Sequence, residues 1–297
     1  MPDEAPRVVS GESGLGTLVR AALPSLPGIG SLPGVRKSGA PFEGLTVTRP
    51  PVTVDRGHVE AYAEVCGFPA KDVVPLPYPH LLAFGLHMAM MTDPSFPAPA
   101  VGSVHLENSI SQHRPIGVGE TLDVTASVAP ARPHPKGEVF EFTTTVRAAA
   151  PDGAGPVVWE STSTYLRRGK GEAGASWGAP LPDVTPGATL WRLPGDLGRR
   201  YAAVSGDYNP IHLYPLTARP LGFPRQIAHG MWTLARSVAA LENRLPGAVR
   251  VDAAFRKPVP LPATVAFGSQ PVDGGYGFTL TKPGSPTVHL VGRTTAL

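Results

Sequence analysis

The chain has 297 residues, 42% of them hydrophobic, enough for a real core and, at roughly 100–200 residues each, about two domains. Its single cysteine, Cys66, excludes an intrachain disulfide framework and a multi-cysteine metal site. With 26 basic and 23 acidic residues the net charge is +3; no Lys/Arg run exceeds two, so nothing calls for nucleic acid, while a mild excess suits an anionic small ligand.

The start, Met1-Pro2-Asp3-Glu4-Ala5-Pro6, is acidic and lacks the apolar run of a signal peptide. Residues 1–45 read as an irregular arm, with turn signals at Leu26-Pro27-Gly28 and Leu32-Pro33-Gly34 and a helix over Leu15 to Leu23. Residues 46–168 read as a first unit. It begins with a short helix on which Val59, Tyr62 and Cys66 share a face, ended by Gly67 in the left-handed conformation. A longer apolar helix covers Leu81 to Met91, interrupted by His87 and about half of the ~20 residues a membrane span needs. Its methionines, Met88, Met90 and Met91, read as core. Strands follow at Val104–Ile110, Thr121–Val128, Phe140–Ala148 and Val157–Leu166, and the alternation in Val139-Phe140-Glu141-Phe142 marks a half-buried strand.

Residues 169–187, rich in Gly, Pro, Ala and Ser, read as a linker. Gly174-Ala175-Ser176-Trp177-Gly178 lies in it and matches the GxSxG pattern, but a nucleophile elbow needs a strand before it and a helix after it. Residues 188–297 read as a second unit with the same order. Leu197, Tyr201 and Val204 share a helix face closed by Gly206, and Met231, Leu234, Ala235, Val238 and Leu241 keep helical spacing. Strands are expected at Val249–Phe255, Thr264–Gln270, Tyr276–Thr281 and Thr287–Thr294.

Two matches in the same order support a duplication. Tyr62-Ala63-Glu64-Val65-Cys66-Gly67 pairs with Tyr201-Ala202-Ala203-Val204-Ser205-Gly206 at an offset of 139, and Arg114–Gly119 with Lys257–Pro262 at 143. A long helix followed by about four strands, twice over, predicts an α+β fold in which each sheet wraps a buried helix.

The chemistry concentrates in Ser205-Gly206-Asp207-Tyr208-Asn209-Pro210-Ile211-His212. Pro210 pushes Asn209 toward an extended conformation, so Asp207 and His212 lie on a bent loop. Such a loop can aim a carboxylate and an imidazole at one water, an acid/base pair suited to neutral pH. Ile227-Ala228-His229-Gly230-Met231 opens the long helix, where free N–H groups and the positive dipole end favour a developing negative oxygen, and Gly230 permits close approach. His229 reads as a residue that fixes the start of this helix. Histidines 58, 80, 87, 105, 113, 134 and 289 show no metal-binding spacing.

The ordered set from Tyr201 to His212, then Ala218-Arg219-Pro220-Leu221-Gly222-Phe223, then Ile227-Ala228-His229-Gly230-Met231, resembles the MaoC-like, (R)-specific enoyl-thioester hydratases/dehydratases, and the likeness extends from about residue 47. The resemblance implies a double hot-dog fold and reversible hydration of trans-2-enoyl thioesters to (3R)-hydroxyacyl thioesters, in fatty-acid or polyketide-type metabolism. It implies catalytic Asp207 and His212, Gly230 as oxyanion donor and Asn209 as a substrate contact. The acyl group would arrive on coenzyme A or acyl carrier protein, with no metal or redox cofactor and no nucleic acid, in a cytoplasmic enzyme compatible with a homodimer. Arg225, Arg250, Arg256 and Lys257 read chiefly as surface charge, with phosphates or an acidic carrier as the alternative. Tyr214 replaces an acidic residue found in many members, and Val238, beside Ser237, replaces a helix serine found in some. At the 139 offset the first half has Phe68 opposite Asp207 and Val73 opposite His212, so it has lost the chemistry and by resemblance holds the acyl chain. His80 reads as a counterpart of His229. A hot-dog acyl thioesterase and a non-catalytic acyl-thioester-binding subunit are the alternative readings.

Overall fold

The computed structural model describes residues 6–9, 42–98, 102–151, 153–175, 178 and 180–297. The Leu15–Leu23 helix and the turns at 26–28 and 32–34 fall outside them, as does Ser176. In the first unit, helix α1 (Arg56–Cys66) is capped by Asp55, whose carboxylate accepts the His58 N–H at 2.8 Å, and buries Val59, Tyr62, Ala63 and Cys66. Gly67 closes it at φ 77°, as its position in the repeat predicts. Helix α2 (Pro79–Thr92) is buried almost all round and packs on the sheet that wraps it.

That sheet contains β2 (Leu45–Thr48), β3 (Val52–Thr53), β4 (Val104–Gln112), β5 (Thr121–Val128), β6 (Arg132–His134), β7 (Gly137–Ala150) and β8 (Gly153–Arg168). The second unit repeats the plan with α3 (Leu197–Ser205), α4 (Gly230–Ala239), and strands β9 (Thr189–Leu193), β10 (Val249–Phe255), β11 (Ala263–Val272), β12 (Gly275–Thr281) and β13 (Val288–Ala296). β4 and β10 pair antiparallel, with Val251 opposite Ile110, and fuse the two halves into one sheet. With β1 (Arg7–Val8) at one end, its order is β1-β2-β5-β7-β8-β4-β10-β13-β12-β11-β9. Across the junction α1 lies on α3, with the Tyr62 and Tyr201 rings 6.3 Å apart. This is the double hot dog: two helices, each wrapped by half of a continuous sheet.

The arm is not irregular throughout. Arg7–Val8 forms β1, parallel to β2, and Arg7 Nη1 lies 2.8 Å from Asp93 Oδ2. The linker's end runs along β11: Gln270 Nε2 donates to Asp183 O, and Thr185 N–H donates to Gln270 Oε1. No helix among the described residues is long and apolar enough to cross a membrane.

Candidate active site

The loop after α3 is a chain of nested side-chain turns, which explains its residue types. Gly206 ends the helix at φ 72°. Ser205 Oγ accepts the Asp207 N–H at 3.2 Å, Asp207 Oδ1 accepts the Asn209 N–H at 3.1 Å, and Asn209 Oδ1 accepts the Ile211 N–H at 3.4 Å. Each is a short oxygen acceptor reaching a backbone N–H two residues on, a geometry that Ser, Asp and Asn favour. Asn209 thereby caps the 3-10 turn Pro210–His212, with proline at its first position.

His212 is carried back under the helix α4. It is buried, and its Nδ1 lies 2.8 Å from Ile227 O. A carbonyl can only accept, so Nδ1 carries the proton and Nε2 keeps its lone pair. Burial holds the imidazole below its ordinary pKa, opposed by the charge of Asp207. His229 caps α4, and its Nε2–H donates to the Asp207 carbonyl at 2.9 Å. Its ring stacks on His212 with centroids 3.7 Å apart, and burial, then His212, pushes its pKa well down. Asp207 Oδ2 lies 3.8 Å from His229 Nε2, and its side chain is one quarter exposed. The structure thus brings Asp207 and His212 together, and His229 ties the loop's backbone to the helix start.

Gly230 is the first residue of α4, where its N–H lies outside the intrahelical ladder. A Cβ there would stand 3.1–3.3 Å from the Phe255 ring, so the glycine also lets β10 close on the helix. Donor atoms of Asp207, His212 and His229 lie within 4.8 Å of one another, a spacing that could hold a cation. Two of the ring nitrogens, however, already donate to backbone carbonyls.

Sequence reasoning missed Gly198. It sits inside α3, and a Cβ added there would fall 1.9 Å from His212 O. An isolated glycine within a helical pattern was the available signal. It also missed the first unit's approach to the site: the Asp207 charge acts on His80 and Tyr165.

The constant offset of 139 does not hold through the loop. Val73 bridges Gly117 as Ile227 bridges Pro260, and the Val74 N–H bonds Ile116 O as the Ala228 N–H bonds Val259 O. Val73 is therefore the counterpart of Ile227, not of His212, and the position that His229 holds as N-cap of α4 is held on α2 by Tyr78, not by His80. Between the closing glycine and this bridge the first unit has residues 68–72 and the second 207–226. The first half lacks the loop altogether.

A MaoC like domain matches residues 192–285. The chain is 36% identical over 288 residues, 96% of its length and 99% of the relative's, to "3-hydroxyacyl-thioester dehydratase X" of Mycobacterium tuberculosis. The crystal structure of that organism's HtdX superposes with a TM-score of 0.75 at 36% identity, covering 85% of this chain and 100% of the other. A 47-residue stretch, 16% of this chain and 35% of the relative, is 43% identical to the "(R)-specific enoyl-CoA hydratase" of Aeromonas caviae. A further M. tuberculosis structure, described as a double hotdog fold, shares the fold at 16% identity, with a TM-score of 0.51 over 87% of this chain and 98% of the other. The chain belongs to the MaoC-like hydratase/dehydratase family.

Proposed function

We propose that the protein is a hydro-lyase that reversibly hydrates trans-2-enoyl thioesters to (3R)-hydroxyacyl thioesters, with Asp207 and His212 as its acid/base pair. The observation that carries the assignment is the buried His212, which has a ring nitrogen within 4.8 Å of an Asp207 carboxylate oxygen and its Nδ1 proton tied to Ile227 O, so that Nε2 is left to accept. One water held between them is aimed at C3 of the enoyl group. As hydroxide adds, the pair takes one proton from the water and returns one to C2 on the same face, so the enzyme's charge is unchanged over the cycle. The thioester oxygen gains negative charge in the transition state, and the Gly230 N–H, at the positive end of α4, stabilises it. Asn209 shapes the loop through Oδ1 and offers its amide N–H to the substrate. The reaction needs no metal or redox cofactor.

The thioester is carried on coenzyme A or acyl carrier protein. The first unit, 46–168, takes the acyl chain, and the linker 169–187 joins it to the catalytic unit so that the two pair within one chain. The reading places the enzyme in the cytoplasm. Loss of enoyl absorbance with crotonyl-CoA tests it. Asp207→Asn and His212→Ala should each lower kcat by at least ~100-fold. Near-normal hydration by either folded variant would reject the assignment, and thiol release from acyl-CoA would point to a thioesterase.

A further inference from the structure

The first unit's interior contains buried and half-buried polar side chains that the reaction does not use. His80 and His87 lie on α2; His105 and Asn108 lie on β4; Ser161, Ser163 and Tyr165 lie on one face of β8, with Thr144 on β7 opposite Ser161. They touch one another in sequence. The Asp207 charge reaches Tyr165 and His80. His105 stacks on Tyr165 at 4.4 Å and on His80 at 6.2 Å. Asn108 Nδ2 donates to Ser163 Oγ at 2.9 Å, and His87 Nε2 lies 2.9 Å from Thr144 Oγ1.

The two rows run along α2 and β8. Seven residues of helix separate His80 from His87, about 10 Å. Four residues of strand separate Tyr165 from Ser161, about 13 Å. Along this lane His80 Nδ1, His87 Nδ1, His105 Nε2, Asn108 Oδ1 and Ser161 Oγ are buried without a hydrogen-bond partner among the described residues. Buried polar atoms of a native protein are normally satisfied, and five orphans on one path need a polar guest. A plain alkyl chain cannot supply it. In the second unit the buried hydroxyls of Ser237, Thr279 and Thr281 each have a backbone carbonyl to donate to, although Gln226 Oε1 and His229 Nδ1 also lack a partner among the described residues.

Resting on the hydratase reading above, we propose that this lane recognises an oxygen-bearing acyl chain: a thioester whose acyl group carries a neutral hydroxyl or keto oxygen well beyond C3. Charge selects against a carboxylate at the same place. Burial keeps His80, His87 and His105 uncharged, and the negative charge of Asp207 acts on His80.

Calorimetric binding of saturated, non-reactive thioesters to the full chain separates this inference from the chemistry. Octanoyl-CoA is compared with the same thioester carrying a hydroxyl, a keto oxygen or a carboxylate at the far end of its chain. The hydroxyl and keto forms should bind about tenfold or more tightly than octanoyl-CoA, the gain of one hydrogen bond to an otherwise unsatisfied group. The carboxylate form should not. Asn108→Leu, His87→Leu and the milder Ser163→Ala should reduce that ratio, which is read within each variant so that partial loss of folded protein cancels. Equal affinities in the wild type, a ratio unchanged in all three variants, or no binding of either form would overturn the proposal and show that the lane holds water only. Failure to hydrate crotonyl-CoA would overturn the hydratase reading and leaves the affinity ratio as the measure of the lane.

Discussion

Replacing Gly198 with alanine tests whether the loop's position makes the site. Gly198 lies in α3 with an ordinary helical backbone, and it is fully distinct from the reacting groups. By helix propensity alone the substitution should stabilise the protein by up to ~1 kcal/mol. The added Cβ, however, falls 1.9 Å from His212 O and 3.0 Å from His212 C, against a floor of 3.0 Å for real Cβ contacts. The His212 carbonyl and α3 must therefore separate by about 1.1 Å, and because that oxygen is backbone the imidazole changes its place relative to α3. A misplacement of about 1 Å can cost ~100-fold in rate. The overpacking cost of ~1–3 kcal/mol is partly offset by the propensity gain, so a folded protein remains for assay. The expected outcome is a kcat for crotonyl-CoA hydration about 100-fold lower, with a native circular dichroism spectrum. A folded Gly198→Ala protein within threefold of wild type would refute the argument that α3 sets the position of His212.

His229→Ala removes the tether to the Asp207 carbonyl and should lower kcat at least ~10-fold with KM little changed, as expected of a positioning residue, in steady-state kinetics. The acid limb of kcat/KM should lie below pH 6.5, because His212 must be neutral to accept a proton and burial lowers its pKa; a limb above 6.5 would contradict the assignment. Burial pushes His80 down to about 4, so stability is complete above the unfolded value of ~6.5 and is lost as pH falls toward 4, by about 2 kcal/mol between pH 6.5 and 5. Urea unfolding should show that this loss shrinks in His80→Leu. Ser176→Ala should leave hydration unchanged; an inactive folded variant would favour a serine hydrolase.

Much of the fold follows from local rules in the sequence. Thr121–Val128 alternates buried and half-buried residues along its length, and Val249–Phe255 is a strand with the expected ends. Gly67 and Gly206 close their helices in the left-handed conformation. The short strands Leu45–Thr48 and Thr189–Leu193, at or next to the ends of the sheet, were not legible, because a strand so short and so peripheral buries too little to show alternation. The Arg7–Val8 strand, wholly exposed, forms only because β2 presents a free edge.

The sequence by itself determined the reacting pair and the loop that bears it, since Ser205, Asp207 and Asn209 each bond a backbone N–H two residues away, within reach of local chemistry. Only the tertiary structure decided what surrounds that loop. Gly198 meets His212, His229 holds Asp207 across 22 residues, and His80 and Tyr165 arrive from the other unit. It also showed that the first half lacks the loop rather than carrying substituted residues, because the bridges at Val73 and Ile227 fix equivalence where a constant offset does not. Those relations depend on how distant segments cross in the packed core, and no period or spacing along the chain encodes a contact made by packing.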